Sequence, residues 1–138
     1  MTKKNKILVT GGSGFIGSTL VGMLVIQGYS VVVIDDLSTG LESNHNESVT
    51  YFNRDLCNYI DHPEELVEIL NQFDINTVFH MAASADVFLS INNPEAVYKI
   101  NVLSSIALAK ACKETGVEKL VFASTSAVFG EPKYLPVD

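Results

Sequence analysis

The sequence predicts an α/β fold, a mostly parallel sheet with helices on both faces, and three observations carry that expectation. Short β-branched or apolar runs recur along the chain: Ile7–Val9, Val31–Ile34, Val49–Phe52, Thr77–His80 and Leu120–Ala123. Between them stand segments whose apolar residues repeat at helical spacing. The first run passes directly into a glycine loop, Thr10-Gly11-Gly12-Ser13-Gly14-Phe15-Ile16-Gly17, and the loop into an apolar helix. Strands that alternate with helices are joined by crossovers over the sheet, which makes neighbouring strands parallel and buries them on both faces.

Ile7–Val9 is short and ended by a turn, as a buried parallel strand should be. Phe15, Ile16, Leu20, Leu24 and Val25 give the next helix a face for the sheet, and Gly28-Tyr29 ends it because glycine closes a helix in the left-handed conformation. Val31–Ile34 is dense in β-branched residues and is the best strand signal in the chain. After Val49–Phe52, Asp61 is placed to cap a helix with Pro63 in its first turn and Leu66, Val67, Ile69 and Leu70 on its apolar side. Thr77–His80 leads to the small residues Ala82-Ala83. One long helix is expected from Pro94 to about Cys112, stopped by Gly116, before Leu120–Ala123 leads to the hydroxyl cluster Ser124-Thr125-Ser126. The last residues, Glu131 to Asp138, read as a loop.

The chain has 138 residues, enough for one domain with a core, and a 47% apolar fraction that argues against disorder. Its 16 acidic residues against 9 basic ones give a net charge of -7, which repels phosphate backbones and argues against nucleic acid as a partner. No apolar stretch reaches membrane-spanning length, and the run after Lys6 is too short for a signal peptide core. The expectation is a cytoplasmic protein that binds no membrane. Cys57 and Cys112 are too few and too far apart for a disulfide framework. His45, His62 and His80 are scattered, and no set of histidines, cysteines and carboxylates has metal-ligand spacing.

The candidate site residues gather at the predicted C-terminal ends of the strands, the edge where parallel sheets bind ligands. Gly11 permits the tight turn, Gly14 lets the backbone approach a pyrophosphate, and Gly17 lets helix and strand pack closely. Free amides at the helix start then face phosphate oxygens. Asp35, at the end of the second strand, is placed to accept from both hydroxyls of an adenosine ribose and to repel a 2′-phosphate, which favours NAD over NADP. Asp36 beside it either joins that contact or caps the following turn. Asp55, with the Leu56 amide, is placed to border an adenine, a helix cap or solvated turn being the alternative. His80 is expected to make a structural bond, and Ala82-Ala83 to permit close approach of a cofactor. Ser124, Thr125 and Ser126 either hold a substrate oxygen or cap a turn.

Six motifs carry a family resemblance: the glycine loop, Asp35-Asp36-Leu37-Ser38-Thr39-Gly40, Arg54-Asp55-Leu56, His80-Met81-Ala82-Ala83, Asn92-Asn93-Pro94 with Asn101-Val102, and Phe122 to Gly130. With these, residues 6–138 resemble the N-terminal part of the extended short-chain dehydrogenase/reductase family, among its NAD-dependent nucleotide-sugar epimerases and dehydratases. The resemblance implies a Rossmann-like doubly wound parallel sheet, truncated after the fifth strand, with residues 1–138 as the N-terminal part of a NAD-binding domain. It implies NAD as cofactor, a nucleotide sugar as substrate and a homodimeric parent. Gly11, Gly14 and Gly17, with the Phe15 and Ile16 amides, would take the pyrophosphate, Asp35 the ribose, and Asp55 and Leu56 the adenine. Ala82 and Ala83 would line the dinucleotide channel, with Asn101 supporting the adjacent strands and cofactor. Thr125 would be the catalytic hydroxyl on the sugar, with Ser124 and Ser126 as neighbours. Phe129 stands where the family usually has tyrosine. The implied reaction is 4-epimerisation. A 4,6-dehydratase is the alternative, for which an acidic pair beside Thr125 is missing, and a noncatalytic nucleotide-binding fragment is a third reading. The family's Tyr-x-x-x-Lys pair falls beyond Asp138, so the 138 residues by themselves are expected to bind without turnover.

Overall fold

Five parallel strands stand in the order β3-β2-β1-β4-β5 in the computed structural model, which describes residues 6–131, 133 and 134. They are β1 (Lys6–Thr10), β2 (Ser30–Asp35), β3 (Thr50–Asn53), β4 (Thr77–His80) and β5 (Lys119–Phe122). The chain builds outward from β1 to β3, then crosses to the other side of β1 for β4 and β5. The order therefore reverses between β1 and β4, and the carboxyl ends of strands at such a reversal are where open parallel sheets bind ligands. Of the loop expected over 131–138, residues 132 and 135–138 lie outside the described residues.

Alternation along the strands builds two cores. Leu8, Val32, Ile34 and Val78 face α2 (Asn58–Asp61), α3 (Pro63–Gln72) and α6 (Ser104–Thr115), where Tyr59, Leu66, Leu70, Leu108 and Ala111 join them. Ile7, Val9, Val31 and Val33 face the opposite way, against Val21 and Leu24 of α1 (Phe15–Ile26). The middle of β1 is thus buried on both sides, which is why Ile7, Leu8 and Val9 are all apolar.

One local device ends three helices and starts three strands. At the end of α1 the Gly28 amide donates to the Val25 carbonyl and the Tyr29 amide to Leu24, with Gly28 at φ +83°. The Val117 amide reaches back to Cys112 over Gly116, and the Ile75 amide to Leu70 over Asp74. In each case the residue after the left-handed position belongs to the same hydrophobic cluster as the residue to which it bonds, which favours one direction for the strand that follows.

Three expectations are corrected. Asp61 caps nothing; it is the last residue of α2, and His62 precedes Pro63 at the start of α3. Proline can begin that helix because its missing N–H would have had no intrahelical acceptor there. The third strand is shifted by one residue, to Thr50–Asn53. The long helix is interrupted: α5 (Pro94–Tyr98) passes into a π-helical turn at Lys99–Leu103 before α6, and a short helix α4 (Val87–Asn92) precedes it. Hydroxyls serve the carbonyls in this π-turn, the Ser104 Oγ donating to Ile100 and the Ser105 Oγ to Asn101.

Candidate dinucleotide site

The glycine loop is shaped by close approach. Gly11, at φ +69°, donates its amide to Ile34 across the sheet, and a Cβ there would sit 2.7 Å from the Ala82 nitrogen. The loops after β1 and β4 therefore touch where the strand order reverses. A Cβ on Gly17 would fall inside the Gly11 carbonyl oxygen, so this glycine is what lets α1 start directly over the loop. Gly12, which the motif reading passed over, is equally constrained: its Cβ would be 2.7 Å from the Val33 methyls. Gly14 precedes α1 with no side-chain cap, and the first bond of the helix ladder is the Ser18 amide to the Gly14 carbonyl. The amides of Phe15, Ile16 and Gly17 consequently have no acceptor among the described residues, which makes the helix start a ready anion site.

Asp35 stands beside them at the end of β2. Its Oδ2 accepts from the Ser13 amide at 2.9 Å and its Oδ1 from the Leu37 amide at 2.9 Å, so the carboxylate is fixed in orientation while each oxygen keeps lone-pair capacity. Leu37 reaches this position in the left-handed region, φ +58°. A cleft of about 170 Å³ opens here, lined by Asp35, Leu37, His45, Tyr51 and Asn53 among others. Asp36 takes the turn-capping option: its Oδ1 accepts from both the amide and the hydroxyl of Ser38. The Asp55 Oδ1 likewise accepts from the Cys57 amide at 2.8 Å, and Leu56 is buried in the core.

A chain of hydrogen bonds with one consistent direction joins the ends of β1 and β4. The Ser105 hydroxyl donates to the Asn101 carbonyl, so it accepts from His80 Nε2 at 2.7 Å. His80 Nδ1 then accepts from the Thr10 hydroxyl at 2.6 Å, and that hydroxyl accepts from the Ala82 amide at 3.3 Å. His80 is thereby the neutral Nε2–H tautomer, and burial pushes its pKa down to about 4. The expected structural bond is a double one. Asn101, projecting from the π-turn, holds Ser84 from both sides, accepting from its amide at 2.8 Å and donating to its carbonyl at 2.9 Å. Ala82-Ala83 is thus anchored before and after.

Ser124, Thr125 and Ser126 are brought to the same edge by the Ala123 amide, which donates to the His80 carbonyl. All three are exposed, and the Thr125 hydroxyl accepts from the Ala127 amide at 3.2 Å. Cys57 and Cys112 are free and buried, each thiol pushed up to about 11 by burial. Among the described residues no three histidine, cysteine or carboxylate side chains are grouped to hold a metal ion, and no helix is long and apolar enough to cross a membrane. Sequence reading missed Thr10, Ser13, Asn44, His45, Ser84 and Ser105. Each acts through a partner remote in sequence, and only the positions of Thr10 and Ser13, beside and within the glycine loop, offered a signal.

A model of the NAD dependent epimerase/dehydratase family matches residues 7–138. The chain belongs to that family. Among its members, the UDP-glucose 4-epimerase of Halalkalibacterium halodurans is 38% identical over 132 residues, which is 95% of this chain and 38% of the relative. The Thermotoga maritima UDP-glucose 4-epimerase, solved with UDP-glucose, superposes with a TM-score of 0.88 at 35% identity over 96% of this chain and 42% of that one. The Brucella ovis enzyme, solved with NAD, gives 0.87 at 37% identity over 96% and 39%. The chain therefore spans about two fifths of the length of the relatives it matches.

Proposed function

We propose that this chain is the dinucleotide-binding portion of a NAD-dependent nucleotide-sugar 4-epimerase of the UDP-glucose 4-epimerase type. The observation that carries the reading is the pairing of three amides, Phe15 to Gly17, that have no acceptor among the described residues, with a carboxylate fixed beside them at Asp35. The amides would bind pyrophosphate oxygens, and the remaining lone pairs of Asp35 would accept from the ribose hydroxyls. Its negative charge would repel a 2′-phosphate, so NAD is preferred over NADP. Ala82 and Ala83, held by Thr10 and Asn101, leave room for the cofactor, and Asp55 and Leu56 would border the adenine. Bound NAD supplies a hydride acceptor for oxidation at the sugar. Thr125 would hold the sugar hydroxyl; the absence of acidic residues in Thr125-Ser126-Ala127 favours epimerisation over dehydration.

Calorimetric titration of the protein with NAD and with NADP tests this. Binding of NAD, tighter than NADP, is expected; a folded protein that binds neither, or prefers NADP, would overturn the reading. No tyrosine in these 138 residues is followed by lysine four positions on, so binding without epimerase turnover is expected of this chain alone.

A further inference from the structure

Ser13 is fully buried within the glycine loop, yet every polar atom it owns is engaged, and the partners of its carbonyl and hydroxyl converge from one segment. Its carbonyl accepts from the Leu41 amide at 3.2 Å and from Asn44 Nδ2 at 2.8 Å, while its hydroxyl pairs with His45 Nε2 at 3.0 Å. Its own amide is the donor that fixes Asp35 Oδ2. Between these contacts Gly40 lies so close that a Cβ would be 2.8 Å from the Ser13 Cβ and 2.9 Å from Asp35 Oδ1. Residues 37–45 therefore form a strap that leaves β2, crosses over the glycine loop and is fastened to it at a single residue. The far end of the strap is tied to the sheet: the His45 ring stacks on Tyr51 of β3, with centroids 3.7 Å apart and planes 13° from parallel, and the Tyr51 hydroxyl accepts from the Asn46 amide.

We infer that His45 is a positioning residue for dinucleotide binding, which acts through Ser13 on the Asp35 carboxylate. This rests on the dinucleotide reading above. With the strap fastened, Ser13 cannot rotate away from Asp35, and the carboxylate faces an incoming ribose in one orientation. Without the His45 contact, a buried hydroxyl loses its partner and Ser13 loses the bond that ties it to β3. Asp35 then samples orientations that must be given up again on binding.

The test uses His45→Phe, which keeps an aromatic ring on Tyr51 but removes the nitrogen, and Ser13→Ala, which removes the hydroxyl. Each is expected to weaken NAD binding by about three- to ten-fold, the range set by the loss of one ordinary hydrogen bond. The decisive measurement is a cycle with Asp35→Asn. Because His45 acts through the carboxylate, His45→Phe should have little further effect on NAD affinity in the Asp35→Asn background. Amide exchange at Ser13 and Leu41 should accelerate in His45→Phe without NAD present. If wild type binds NAD and the two single variants bind equally well, or if the effects in the cycle simply add, the inference is wrong while the dinucleotide reading stands. A folded wild-type protein that binds no NAD would take down both.

Discussion

His80 Nε2 lies 2.7 Å from the Ser105 hydroxyl, and the bond has only one possible direction, because that hydroxyl is already donating to the Asn101 carbonyl. The ring therefore stays protonated at Nε2 and accepts at Nδ1 from Thr10. Nitrogen-15 spectra should show that tautomer; a ring protonated at Nδ1 would contradict the chain of bonds. Thr10→Val, which keeps the shape and deletes the donor, should cost about 1–3 kcal/mol in urea unfolding by leaving the Ala82 amide and His80 Nδ1 unpaired.

The same burial gives stability a pH dependence of known sign. The unfolded chain takes up the His80 proton near its ordinary 6.5, the folded chain only near 4. The stabilisation is thus complete above 6.5 and is lost as pH falls from 6.5 towards 4, by about 3 kcal/mol across the window. His80→Asn cannot titrate, so its unfolding free energy should fall less steeply over that range. Identical slopes in urea titrations of the two proteins would refute the assignment.

Two glycines should respond differently to alanine. At Gly116 an added methyl meets nothing within 4 Å, so only the left-handed backbone, φ +74°, is penalised, at about 1 kcal/mol. At Gly17 the methyl would collide with the Gly11 carbonyl, and relief requires α1 to move off the loop. Gly17→Ala should therefore cost about 3 kcal/mol or more, and a soluble Gly17→Ala protein should lose NAD binding. Denaturant midpoints and NAD titration distinguish the two cases.

Asn101→Asp preserves the acceptor for the Ser84 amide but replaces the donor that faces the Ser84 carbonyl with a second acceptor. Amide exchange in the segment after β4 should rise, and NAD affinity should drop about ten-fold, as expected when a hydrogen bond is exchanged for a repulsion. Unchanged exchange at Ser84 would show that the loop is held by other means.

Neither thiol should react with a chromogenic disulfide reagent in the folded protein near pH 8. Both are buried and pushed up to about 11, which leaves little thiolate. Reaction should appear only with denaturant, at the rate of unfolding. A native-state burst from either cysteine would mean that its surroundings open locally.

The order of elements was readable from the sequence because β-branched runs and glycine stops are local signals. Gly28 and Gly116 end their helices as expected, and the glycine loop is bounded by the strand and helix that its spacing requires. The π-turn was not readable, since Lys99 to Leu103 has the composition of an ordinary helix, and the Asn101 contact made from it is with Ser84, 17 positions away. Within the candidate site, the position of Asp35 at the end of β2 was legible from its place after the first βα unit. Its fixation was not: Ser13 and His45 are 32 residues apart and meet only because the strap folds back over the loop. Asp36 and Asp55 show the converse, carboxylates in motif positions whose visible partners are the amides of their own turns.

The π-turn adds one residue to the rotation of the helix, about 100° of azimuth. Asn101 and the core positions Leu108 and Ala111 therefore need not share one helical phase. The segment works as a phase shifter: the downstream half keeps its register with the sheet while the upstream half aims an amide at the loop. Removing a single residue between 99 and 103 would restore a regular helix and force a choice, turning either Asn101 away from Ser84 or Leu108 away from the core.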